Sequence, residues 1–420
     1  MNILSYLRIG MLAYASTVAL WQSPSVAMGQ PNTSNTDQLI TILGQAMISN
    51  PDILAAEAAI KITQAQLEGA RLPLNNPELE FETERAEGNS YTIGVKQTLD
   101  WHDKQGSYLE VAQTRLNAAQ QALMALKLRK ASELLDAIGN ISTQKRINEL
   151  AKRRSETLSR FVLLAEKRHS VGDISIAELE LARLSRAEAI MQQVKSGVDL
   201  IKANSAFFAL SGVQLPGNIS LPARLELKQQ RAIDDETTIR NHPNVQAAHN
   251  MAQVVRQKIR LVDQERKADP TFGLSTGRTG NENLVSLSVS IPLQIRNNFQ
   301  NDVDAARAES LQSDHEAQVM YRNSFARLQA ARARYKLIDG TWMMWMSLGE
   351  ASLQQSLILL EKQWQAGETN TTDYLLQMKQ SLETSIAGAE LQGERWSAWI
   401  EWLSASAYLN DWLYGATKEQ

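Results

Sequence analysis

No cysteine occurs anywhere in the 420 residues. Disulfides, thiolate metal sites, cysteine nucleophiles and lipid attachment at an N-terminal cysteine are therefore excluded. Charge of one sign is missing too: the formal net charge is -3, no basic cluster stands out, and nucleic acid is excluded as a partner. Beyond the N-terminus there is no uninterrupted apolar run of around 18 residues, so helical membrane spans are absent and any insertion must use strands. The chain also lacks a phosphate-cradling glycine loop, a zinc-protease helix motif and a Gly-x-Ser-x-Gly elbow, which leaves an enzyme without support: no catalytic residue and no cofactor is assigned.

The N-terminus itself does carry a short apolar core. Arg8 is followed by the stretch from Ile9 to Trp21 and then by Ser25-Val26-Ala27. A basic residue, a short apolar core and small residues before a cleavage point describe a secretory signal over residues 1–27. An exported protein without disulfides must be held by packing or assembly.

The rest of the chain says nearly the same thing twice. Asn50-Pro51-Asp52-Ile53-Leu54-Ala55-Ala56 returns as His242-Pro243-Asn244-Val245-Gln246-Ala247-Ala248, and the segment opening at Pro77 returns at Pro270. Glu166-Lys167-x4-Gly172-Asp173 reappears as Glu361-Lys362-x4-Gly367-Glu368. The common shift of roughly 193 residues indicates a duplicated unit. The first repeat is placed at 38–215, a linker at 216–234 and the second repeat at 235–415.

Proline is absent from 78 to 215 and from 293 to the end. Such stretches, rich in Ala, Leu, Gln, Glu, Lys and Arg, favour long helices. Leu109, Leu116 and Leu123, each followed three residues later by Ala112, Ala119 and Leu126, predict one coiled-coil seam. Leu328, Ala331, Tyr335, Ile338, Trp342 and Trp345 predict a second. Each rod, from about 103 to 170 and from about 298 to 366, would be roughly 100 Å long. Each ends at a glycine, Gly172 or Gly367, followed by an acidic residue and a new helical pattern, so helical hairpins turning at 171–175 and 366–372 are expected.

Just before each rod the texture alternates. Residues 78–98 and 271–292 each read as a β-hairpin, apolar on one side and polar on the other, with turn residues Glu87-Gly88-Asn89 and Thr279-Gly280-Asn281. A bilayer barrel wall has this pattern. Four strands cannot close a transmembrane barrel, and open edges in lipid would leave backbone groups unsatisfied, so several chains must share one barrel.

Leu72-Pro73-Leu74-Asn75-Asn76-Pro77-Glu78-Leu79-Glu80 entering the first hairpin, and Gln97-Thr98-Leu99-Asp100-Trp101-x2-Lys104 leaving it, resemble the TolC family of outer-membrane efflux proteins. So do Ile291-Pro292-Leu293 with Arg296-Asn297 after the second hairpin, and the two glycine turns. The set looks most like the CzcC-type branch, the outer-membrane components of heavy-metal efflux. The resemblance implies a mainly α fold with a β-hairpin per repeat. It implies a homotrimer with a twelve-stranded β-barrel in outer-membrane lipid, continued by a periplasmic α-helical, coiled-coil barrel. The implied partners are a periplasmic adaptor and an inner-membrane pump of the resistance-nodulation-division type. The implied role is a passive exit duct, here for heavy-metal cations.

By the same likeness Gly172, Asp173, Gly367 and Glu368 form the periplasmic tips that meet the adaptor. Glu178 and Asp373 match a family aspartate at the channel gate, where a three-fold axis would gather carboxylates and favour cations. The second acidic position known in some members is Leu376 here. The same two carboxylates could instead simply cap their helices, where negative charge is stabilising.

Other readings of the chain are weaker. His102, His169, His242, His249 and His315 are scattered, and no metal site is assigned. Met343, Met344 and Met346 fit helix packing better than a soft-metal path. Trp396, Trp399 and Leu403 fit a buried helical face better than a membrane-interface belt. Alternatives for the whole chain are a TolC-like channel for drugs or type I protein secretion, and an exported trimeric coiled-coil structural protein.

Overall fold

The computed structural model describes residues 35–85, 89–217, 221–222, 225–226 and 234–414. The expected signal at 1–27, most of the 216–234 linker and Glu87-Gly88 of the first hairpin turn lie outside them.

Each half runs helix, hairpin, rod, return helix. The first half has α1 (Asn35–Ile48), α2 (Pro51–Ala70), β1 (Glu78–Arg85), β2 (Asn89–Thr98), α3 (Lys104–Ser170) and α4 (Ile176–Ser211). The second has α5 (Asp235–Arg240), α6 (Pro243–Glu265), β3 (Thr271–Thr279), β4 (Glu282–Ser290), α7 (Gln300–Met344), a π-helical turn (Trp345–Gly349), α8 (Glu350–Gln365), α9 (Thr371–Ala405) and α10 (Leu409–Tyr414). No single helix among the described residues is long and apolar enough to cross a membrane.

Pseudo-equivalent residues do the same jobs in the two halves. Asn50 caps α2: its Oδ1 accepts from the N–H of Asp52 and Ile53, while Nδ2 donates to the Leu210 carbonyl at the end of α4. His242 caps α6 in the same way, Nδ1 accepting from Asn244 N–H at 3.2 Å and Nε2 donating to the Ser404 carbonyl at 3.0 Å. The recurring Asn/His-Pro motif is thus a cap, with proline at the first helical position, that also ties each hairpin's entry helix to its return helix.

α3 is unbroken over 67 residues, as the proline-free stretch predicts. The second rod is not: the π turn at Trp345–Gly349 interrupts it. The indole of Trp345 occupies the space a side chain would need at Gly349 on its own helix and at Gly388 on α9. A wide turn that carries a bulky ring inward is a common cause of such a break.

The first seam also differs from expectation. Along the start of α3 the buried residues are Ser107, Val111, Thr114 and Ala118, together with Leu116, while Leu109, Ala112, Leu123 and Leu126 are only half-buried. Val111 and Ala118 pack on Val254 and Leu261 of α6. Both residue sets have three-four spacing, and periodicity does not say which one a neighbouring helix covers. In the second rod Leu328 and Ala331 are buried and Tyr335, Ile338, Trp342 and Trp345 half-buried, the predicted inward side.

The main core gathers α1, mid-α3, the ends of α4 and α9, and α10 around Leu134, Leu135, Ile138, Phe207, Trp399 and Leu403. Trp396 and Trp399 are buried here, as their spacing predicts, and Trp396 Nε1 donates to Leu135 O at 2.7 Å. Met343, Met344 and Met346 are exposed instead of packed, because Trp342 and Trp345, three apart on the predicted seam, take the inward positions.

Candidate functional site

The two hairpins form one antiparallel sheet in the order β1-β2-β3-β4. The central pairing, β2 with β3, joins the repeats, matching Val95 to Leu274 and Ile93 to Thr276. Among the described residues β1 and β4 are edges with no strand partner. Gly280, at φ +61, turns β3 into β4 at the predicted place.

The two faces of the sheet are unlike. One carries Leu79 and Phe81 of β1, Tyr91, Ile93 and Val95 of β2, Phe272 and Leu274 of β3, and Val285, Leu287 and Val289 of β4, brought side by side by the register. All are exposed, Leu287 to 77% and Phe81 to 69%. Burying a side chain of this kind gains about 1.5–3 kcal/mol, so such a face in water is a large unmet demand for an apolar environment.

The other face is polar and crowded. β1 sets Glu78, Glu80, Glu82 and Glu84 along it, and Lys96 of β2 pairs with Glu80 at 2.6 Å. A Cβ at Gly277 would lie 2.1 Å from the Tyr91 carbonyl oxygen, and one at Gly94 2.7 Å from Ser275 Cβ. Side chains converge on the inside of a coiled sheet, so glycines on the polar face mark it as the concave one.

Each strand pair enters its rod through a residue in the left-handed conformation, Asp103 at φ 56 and Phe299 at φ 54. Asp100 accepts from the N–H groups of Lys104 and Gln105 at 2.8 Å, capping α3 from outside its end. Lys104 pairs with Asp269 at 2.8 Å and donates to the Lys267 carbonyl at 2.7 Å. The Asp100-Trp101-x2-Lys104 motif thus fastens the first rod to the connection between α6 and β3.

At the far end the two turns are near copies. Gly172 (φ 79) and Gly367 (φ 78) hold the left-handed position. Asp173 N–H donates to Arg168 O and Gly172 N–H to His169 O; Glu368 N–H donates to Gln363 O and Gly367 N–H to Trp364 O. Both are Schellman caps. Ser175 then begins α4 and Asn370 begins α9. The Glu178 carboxylate accepts from Ser175 N–H and Oγ at 2.9 Å, and Asp373 accepts from Asn370 Nδ2 at 2.7 Å. Hydrogen bonds from the Ser175 backbone and then its hydroxyl hold the Glu178 carboxyl below the usual carboxylate range. Both predicted gate residues therefore sit at the third position of a helix as its capping partners, and both caps are exposed.

What the sequence reading missed is the clamp between the turns. Arg168 of the first turn lies over the Trp364 ring at 4.5 Å, donates to the carbonyls of Trp364 and Gln365 at 3.3 and 3.1 Å, and faces Asp173 at 3.6 Å. Beneath it Phe161 stacks on Tyr374 at 4.8 Å and tilts against Trp364 at 4.4 Å. Burial pushes the Tyr374 phenol up to about 12. Arg168 sits in the duplicated Glu166-Lys167 stretch, yet only the fold sets it opposite a helix C-terminus. Among the described residues no group of three or more His, Asp or Glu could hold a metal ion. His242 is consumed as a cap.

This fold, an amphipathic half-open sheet at one end of two long helical hairpins, is that of solved outer-membrane channels. The chain is similar to a structure of CusC, described for its transmembrane channel formation, at 17% identity and TM-score 0.76, covering 88% of this chain and 92% of that one. It is similar to the CmeC outer membrane channel of Campylobacter jejuni at 13% identity and TM-score 0.76, covering 96% and 94%. It is also similar to the outer membrane protein VceC of Vibrio cholerae at 15% identity and TM-score 0.72, covering 89% and 98%. The family described as outer membrane efflux protein matches residues 42–213. No curated protein matches the chain in sequence.

Proposed function

We propose that the protein is an outer-membrane efflux channel, a homotrimer whose three sheets close a twelve-stranded barrel and whose helices form a tube across the periplasm. The observation that carries this is the sheet itself: an exposed apolar convex face, a polar concave face and two unpaired edges. Lipid takes the first, water the second, and only neighbouring copies of the chain can satisfy the third without exposing backbone groups to hydrocarbon. The similar fold of solved outer-membrane channels supports the reading, as does the family match to the first half.

Within that reading the Gly172-Asp173 and Gly367-Glu368 turns are the periplasmic tips, where an adaptor docks and an inner-membrane pump delivers cargo. The Arg168 clamp ties the two tips of one chain together, so opening requires its release. Glu178 and Asp373 line the mouth, each hydrogen-bonded to the residue that caps its helix. Cations, heavy-metal ions first among them, are the cargo best matched to the lumen, since Glu78, Glu80, Glu82 and Glu84 face inward three times over in a trimer.

The test is single-channel conductance of the purified protein in a planar bilayer, with the oligomer mass measured alongside. A cation-selective trimer is expected. A monomer would overturn the shared barrel, and a trimer that never conducts even with Arg168 replaced would favour a trimeric structural coiled-coil protein. A trimer whose selectivity is unchanged when the four β1 glutamates become glutamine would remove the cation assignment and leave a general duct.

A further inference from the structure

Between the main core and the core at the tips, the packing of α3, the π turn with α8, and α9 leaves a cavity of about 310 Å³. That is about twice the ~150 Å³ of a dry protein cavity known to admit benzene. Its walls are apolar, formed by Leu150, Trp342, Trp345, Leu353, Met378 and Leu382. Trp345, whose ring lies against Gly349 and Gly388, forms part of its wall where the π turn breaks the second rod.

The charged groups at the cavity are mostly cationic, beside the neutral polar side chains of Thr157, Gln354, Ser385 and Gln392. Arg146, Arg153 and Arg154 line it, against the single carboxylate of Glu350. The Arg154 side chain is only 8% exposed, its nearest carboxylate is Glu188 at 3.8 Å, and its Nε has no hydrogen-bond partner. Among the described residues Arg153 has no ion-pair partner. A buried guanidinium N–H without a partner costs free energy that an anion would recover.

We propose that this cavity binds a free anionic amphiphile, a single alkyl chain ending in a carboxylate or sulfate, with the chain against Trp342 and Trp345 and the head on Arg153 and Arg154. The source is a soluble amphiphile around the helical tube and not a bilayer lipid. Arg154 lies some fifty residues into α3, roughly 75 Å along the helix from the strands. The proposal stands independently of what the channel carries.

Trp342 and Trp345 make the test direct. With the full-length protein held in an amphipol, 11-bromoundecanoate should quench tryptophan fluorescence saturably, and the saturable part should vanish in Trp342→Phe/Trp345→Phe. Arg153→Gln, an exposed change that leaves the Arg154 contact with Glu188 intact, should weaken binding about ten-fold, the worth of one charge-assisted hydrogen bond. Uncharged 11-bromoundecanol should bind at least as weakly to the native chain. Quenching that rises without saturation, or equal affinity for the acid and the alcohol, would overturn the proposal. Quenching of the same tryptophans by brominated phospholipid in a nanodisc would overturn the assignment to a free amphiphile.

Discussion

The Nε2–H of His242 donates to the carbonyl oxygen of Ser404, 162 residues away, at 3.0 Å. His242 is buried, and desolvation, with a smaller push from Arg327, holds its pKa below the ordinary value of 6.5. Below about pH 6.5 the unfolded chain therefore binds a proton that the folded chain refuses. Stability should be level above pH 7 and fall as pH drops from 6.5 through the lower folded value, with a slope of at most ~1.4 kcal/mol per pH unit from this group. His242→Asn keeps both hydrogen bonds, as Asn50 does with Leu210, and should flatten that part of the profile. Urea unfolding of the two proteins between pH 8 and pH 5 decides it, and superimposable slopes would show that His242 is not the group responsible.

Ala407 stands in the left-handed region at φ 59, at the end of the same return helix, where the first repeat has Gly212 at φ 69. An L-residue there costs about 1–2 kcal/mol, and glycine gives back part of the gain by loosening the unfolded chain. Ala407→Gly should raise stability by about 0.5–1 kcal/mol, and Gly212→Ala should lower it by ~1 kcal/mol. Thermal melts in one detergent compare them; a destabilised Ala407→Gly would mean the methyl makes contacts that outweigh the strain.

Gly139 is held by contact, not by φ. A Cβ there would sit 2.1 Å from Cδ1 of the buried Trp396 indole. Gly139→Ala should cost about 1–3 kcal/mol by overpacking. Gly69, with nothing within 4 Å of a built Cβ, is the control: Gly69→Ala should be neutral or stabilising. A loss of similar size at both sites would point to backbone freedom instead of the indole.

Arg168→Ala removes the cation-π contact, worth about 0.5–1 kcal/mol when exposed, and two bonds to helix-end carbonyls. Hydrogen exchange at residues 360–367 should speed several-fold, while exchange in the main core near Leu135 stays as it was. Unchanged protection at the tip would show that the Phe161-Trp364-Tyr374 stack alone holds the two turns together.

The rods, hairpins and glycine turns are local: proline-free runs, alternation and a glycine at the left-handed position act within a few residues, and the duplication states each one twice. That Glu178 and Asp373 could serve as caps of their helices was legible for the same reason. The choice of seam was not, since Leu109 and Val111 share one spacing and only the position of α6 covers the latter.

The sequence by itself therefore determined the two-fold repeat, the order of its elements, and a sheet apolar on one side and polar on the other. Tertiary structure decided the rest: the β2–β3 pairing that leaves β1 and β4 as edges, the π turn that seats Trp345 on Gly388, and the clamp of Arg168 on Trp364. Each of these joins residues from different halves or different helices, and their energy comes from close packing and hydrogen-bond geometry that no periodicity along one chain encodes.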